Sequence, residues 1–303
     1  MAIPANHDVI MPVEAGSAIP VVRTITPADL VRVLRKGFDD FRAMPTHVIF
    51  LCLIYPVAGL LIGRATLGYD ILPLLYPLAA GFTLLGPVAA IGLYELSRRR
   101  EAGLDTGWRH AFDVLRSPSL GQIVWLGLAL LVMFFAWIAV AQQIYVAHFG
   151  YSEPSDWRSF TADVLGTPQG HGLMLWGNLA GFLFALVTLI VSTVSFPLLL
   201  DRHVSAVAAA WTSVRVFAAN PLTMALWGLI VAAGLAAGAV LFLFGLAVTI
   251  PILGHATWHL YRAAVVPDNH PRPEYQPRDR GIRYGADFPA SLFAGYPRDT
   301  TKS

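Results

Sequence analysis

VFAANPLTMALWGLIVAAGLAAGAVLFLFGLAVTIPILGHATWHLY, residues 216–261, contains no Asp, Glu, Lys or Arg. As one continuous helix this stretch would be about 69 Å long, roughly twice the ~30 Å hydrocarbon thickness of a bilayer. It must therefore fold back on itself. The natural division is Leu222–Ala237 and Ala239–Tyr261, with the turn near Gly234–Gly238 and Gly245 as the other candidate.

Working outward, four more apolar runs have spanning length: Thr46–Gly63, Ile71–Leu96, Gly121–Ala147 and Gly172–Leu200. Over all 303 residues the chain is 56% hydrophobic and 13% charged, about half the charge of an ordinary soluble domain. The spacing predicts an all-α polytopic membrane protein of six transmembrane helices in three hairpins. Orientation follows from the basic residues. Arg23, Arg32, Arg35, Lys36 and Arg42 precede the first span, and Arg98, Arg99, Arg100, Arg109 and Arg116 lie between the second and third. Arg202 and Arg215 separate the fourth and fifth, and seven more, from Arg262 to Lys302, follow the last. Only Arg64 and Arg158 fall on the opposite side. The positive-inside rule then places both termini in the cytoplasm of a bacterial inner membrane. The N-terminus shows no basic, apolar and small-residue succession of a signal peptide.

A weak internal repeat accompanies the spans. Residues 29–45, 105–118 and 204–221 each end in proline at the entry to spans one, three and five, and Trp108 and Trp211 stand ten residues before their prolines. In the first, Leu30, Val33, Leu34, Phe38 and Phe41 recur at helical spacing among basic residues. These segments read as amphipathic cytoplasmic interfacial helices. The proline-rich stretch 267–303 and residues 1–26 read as flexible tails around a membrane domain, 27–266.

Within the apolar background the ionisable residues stand out, since polar groups at membrane depth tend to mark function. His255 and His259, at i and i+4, share one helix face. Neutral imidazoles are metal and haem ligands, so the pair is the candidate cofactor site. The plainer reading is that both rings hydrogen-bond within the bundle or reach cytoplasmic headgroups, and a proton relay is the third. Two histidines projecting from one helix cannot be opposite axial ligands of one haem. Glu95, His47 and His203 are placed by topology at the same end and form a possible polar cluster with the pair. For Glu95, pairing with Arg98 or Arg99 in the next turn is the alternative. Asn178, Ser192, Thr193, Ser195 and Thr249 suit interhelical hydrogen bonds. The single Cys52 rules out an intrachain disulfide. No phosphate-binding glycine loop, HExxH, CxxC or nucleophile set is present, and no basic–aromatic cluster points to nucleic acid.

The entry segment ending in proline, the run Gly86-Pro-Val-Ala-Ala-Ile-Gly-Leu-Tyr-Glu-Leu-Ser-Arg-Arg-Arg-Glu101 and the ending Pro251-Ile-Leu-Gly-His-Ala-Thr-Trp-His-Leu-Tyr-Arg262 resemble the bacterial integral membrane family DUF2189, over about residues 21–266. Members are sometimes labelled cytochrome c oxidase subunit I-like, and the resemblance implies architecture rather than an activity. An oxidase site needs several histidines at membrane depth on different spans, which this chain does not supply. The expectation is a non-catalytic protein, in contact with the lipid bilayer and with another integral membrane protein or complex, respiratory or photosynthetic. It is expected to hold no cofactor unless the histidine pair takes a haem. A small transporter or channel built from the repeat, and a haem- or metal-binding redox protein, are the alternatives.

Overall fold

Apolar runs of this length must satisfy their backbone groups internally, and helices do so. The computed structural model describes residues 19–44, 72–151, 154–241 and 245–267, and all of its regular elements are helical. The first predicted span, with His47 and Cys52, and most of both tails lie outside the described residues. Helix α1 (Pro27–Ala43) is followed by α2 (Leu72–Phe82), which runs through a 3₁₀ turn and the short α3 (Gly86–Ala89) into α4 (Ile91–Glu101). A 3₁₀ segment, Trp108–Arg116, leads to α5 (Leu120–Phe149). After α6 (Trp157–Gly166), α7 (Pro168–Ser192) continues past a break at Thr193 and Val194 into α8 (Ser195–Asp201). The chain closes with α9 (Ala206–Ala219), α10 (Pro221–Val240) and α11 (Leu246–Ala264).

Among the described residues four helical stretches are long and apolar enough to cross a membrane: Leu72–Glu101, Leu120–Phe149, Pro168–Asp201 and Pro221–Val240. They correspond to the second to fifth predicted spans. The fold-back of the uncharged stretch lies between Val240 and Leu246, nearer to Gly245 than to Gly234–Gly238. The reason is steric. A side chain on Gly245 would meet the backbone of Gly238, so two glycines let the ends of α10 and α11 come together.

α11 overlaps the sixth predicted span but forms the centre of the fold. It packs against α1, α4, α8 and α10. Leu253, Ala256, Trp258, Leu260 and Tyr261 are all buried. α1 crosses it where Gly37 meets Ala256, and the stripe Leu30, Val33 and Gly37 faces inward. Of the residues expected to face lipid, Leu30 and Val33 are therefore covered by protein, whereas Phe38 stays exposed. Residues Val21–Arg23, grouped by sequence with the N-terminal tail, pair antiparallel with the end of α11 through Arg23 N–H to Ala264 O and Val266 N–H to Val21 O.

A second packing centre lies between α2, α5 and α7. Trp137 of α5 is buried between Gly81 and Gly181, and its indole N–H donates to Pro77 O at 2.8 Å. Small residues let membrane helices approach closely, and here they make room for one large ring. Nearby, Tyr76 donates to Asn178 between helices at 2.9 Å. Ser192, Thr193, Ser195 and Thr249 instead bond carbonyls four residues back in their own helices.

Candidate functional site: a polar network at the basic end

The run Ser97-Arg-Arg-Arg-Glu101 ends α4, and its side chains connect to three other segments. Glu95, fully buried, accepts two hydrogen bonds from Arg98 at 2.8 and 2.9 Å, the fork geometry a carboxylate matches best. Arg99 reaches Asp113 of the 3₁₀ segment at 3.6 Å and donates to Asp105 O at 2.6 Å. Arg100 pairs with Asp40 of α1. Glu101 accepts from the Trp258 indole at 2.9 Å and from Arg262 at 3.0 Å, both on α11. The arginines that set the charge asymmetry also tie this end of the bundle together.

Asp40 is the centre of the inner group. It is buried, and its Oδ2 accepts from Ser97 Oγ at 2.6 Å and from His259 Nε2 at 2.9 Å, while Oδ1 accepts from Arg100. Burial alone would raise this carboxyl. The hydrogen bonds from His259 and Ser97, the adjacent His259 charge and Arg100 outweigh it and hold the group below its ordinary value. A ring nitrogen of His255, Nδ1, lies 2.8 Å from Ser97 Oγ. Ser97 has a single hydroxyl proton and donates it to Asp40. His255 Nδ1 is therefore the donor to Ser97, and its other ring nitrogen is Nε2. That atom is buried and has no hydrogen-bond partner among the described residues.

A third group completes this end. Tyr261 O–H donates to Asp201 at 2.5 Å, with Arg262 and Arg202 beside the same carboxylate at 3.5 and 3.8 Å. Arg202 also donates to Val266 O at 2.6 Å.

The structure joins the sequence-predicted residues only in part. His255 and His259 sit in one network, linked through Asp40 and Ser97 rather than directly. Glu95 belongs to the Arg98–Arg99 side of α4, and His203 is exposed just after α8. His47 lies outside the described residues. Asp40 and Ser97 were not singled out from sequence. The signal for Asp40 was present: Leu30, Val33, Gly37 and Asp40 follow one helical stripe, and an acid on an apolar stripe calls for a partner. No group of three or more potential ligands that could hold a metal occurs among the described residues.

The packing of α2 to α8 and the Ser97–Glu101 hub fall largely within one comparison. A family described as predicted integral membrane protein (DUF2189) matches residues 75–201. Those residues carry the DUF2189 pattern. The matched part includes the run Gly86–Glu101, one of the three on which the resemblance rests. The oxidase-like label receives no support from it. No curated protein and no solved structure matches the chain.

Proposed function

We propose that this chain is a non-catalytic six-span protein of the bacterial inner membrane, with both termini cytoplasmic, that serves as an accessory or scaffold component of a larger membrane complex. What supports the reading is how the ionisable side chains at the basic end are used. Asp40, Ser97, Arg100, Glu101, His259 and Arg262 bond one another across α1, α4 and α11. Groups consumed in this way hold helices together. The pair His255 and His259 does not fit a haem: His255 is fully enclosed, and the outer nitrogen of His259 faces Asp40.

The membrane-facing side suits lateral association. Between α5 and α7 runs an apolar groove lined by residues such as Val140, Ile144, Trp176, Leu179 and Leu183. Association of membrane helices is driven in part by van der Waals packing, and a groove of this shape offers a partner helix a surface to pack into. A photoreactive residue at Leu179, activated in native membranes, is expected to crosslink to a distinct integral membrane protein. Crosslinks to lipid alone from this and other positions along the groove would count against the reading.

A further inference from the structure

The described entry segments differ in how much of their apolar surface they bury. α1 buries Leu30, Val33 and Gly37 on α11 and leaves Phe38 exposed, and α9 buries Ala209 and Val216 against the bundle and leaves Trp211 exposed. The 3₁₀ segment Trp108–Arg116 exposes three large apolar side chains and ties its other side to the bundle. Its inner face buries Val114 beside an ionic cluster, in which Asp113 holds His110 at 2.5 Å, Arg116 at 3.0 Å and Arg99 at 3.6 Å. The pairs to His110 and Arg116 are three residues apart, the repeat of a 3₁₀ helix, which aligns them on one side. Its outer face carries Trp108, Phe112 and Leu115, at 51%, 54% and 66% exposure. Trp108 and Phe112 meet edge to face, centroids 6.3 Å apart.

Two observations identify what covers this face. It leads directly into α5, whose outer surface continues the apolar character through Trp125, Leu128 and Val132, with Trp125 70% exposed. Arg109 is exposed and stacks its guanidinium over the Trp108 ring at 5.6 Å. An aromatic–aliphatic face with a cation at its edge matches the boundary between acyl chains and anionic headgroups. We propose that the outer face of Trp108–Arg116 is a wedge seated in the bilayer interface, with Arg109 against the phosphate of an anionic phospholipid. This deepens, and rests on, the reading of α5 as a membrane span.

The test uses the full chain carrying Cys52→Ser, reconstituted in vesicles of phosphatidylcholine with one-third phosphatidylglycerol. A nitroxide is placed at Leu115→Cys or, separately, at Val132→Cys in α5. At both positions the label is expected to be accessible to oxygen and shielded from a water-soluble nickel chelate. Nickel access at 115 with a lipid-exposed 132 would overturn the wedge and leave the span standing. Shielding at 115 from both reagents would mean that protein, not lipid, covers the face, and would also overturn it. Nickel access at 132 would overturn the span reading and the wedge together. In a second arm, wild type is expected to retain phosphatidylglycerol over phosphatidylcholine about fivefold better than Arg109→Gln, the factor one basic residue gains at an anionic surface. Equal retention would remove the headgroup assignment.

Discussion

Asp40 shows how one buried carboxylate can organise a helix interface. It receives Ser97, His259 and Arg100 from two neighbouring helices, so removing it leaves several donors without their acceptor. Breaking a buried charge pair in this way typically costs about 3–5 kcal/mol. Asp40→Ala is expected to destabilise the detergent-solubilised protein by about that much, measured by thermal or denaturant unfolding. His259→Gln should cost about 1 kcal/mol, the size of a single hydrogen bond, since Ser97 and Arg100 remain. The sign of the pH dependence follows from the same geometry. The folded carboxyl titrates below its ordinary value of 3.8, so its contribution is complete above that value. It is lost as the pH falls through the lower folded value. The unfolding midpoint should therefore drop on acidification below about pH 4, and Asp40→Asn should remove that part of the drop. An acid titration by circular dichroism would check both.

At the scale of elements, the close crossing of α1 over α11 depends on Gly37. A side chain there would come within 2.7 Å of the Ala256 backbone nitrogen, a position that cannot yield as a flexible side chain can. Overpacking of this kind costs about 1–3 kcal/mol. Gly37→Val should loosen α1, carrying Asp40 away from His259, and limited proteolysis should cut within residues 27–43 faster than in wild type. Much of this level was legible in the sequence. The apolar runs identified α2 to α5, α7 and α10, the proline at the entry to span five marked the helix start at Pro221, and the need for a fold-back was clear from length alone. The turn position was less legible because several glycines compete, and contact between Gly238 and Gly245 depends on the opposing helix. The destination of α1 was not legible either. An amphipathic helix has the same pattern whether its stripe faces lipid or protein, and only Asp40 on that stripe distinguishes the two.

For the whole molecule, the charge asymmetry has two consequences. Basic residues gathered at one end orient a membrane protein. At that same end Arg98, Arg99, Arg100 and Arg262 are neutralised by Glu95, Asp113, Asp40 and Glu101, which locks α1, α4, α11 and the 3₁₀ segment to one another. This dual use was hidden in the sequence because pairs such as Arg100 with Asp40 lie far apart along the chain and meet only after the helices pack. The histidine pair, the most conspicuous chemistry in the sequence, becomes part of that lock. The central claim is that the locked bundle serves as a component of a larger assembly. Native mass spectrometry of the protein, released from its own membrane in a mild detergent, tests this most directly. The account predicts a species heavier than a whole number of 32.9 kDa chains by the mass of a second polypeptide. A series containing only whole multiples of the chain would contradict it.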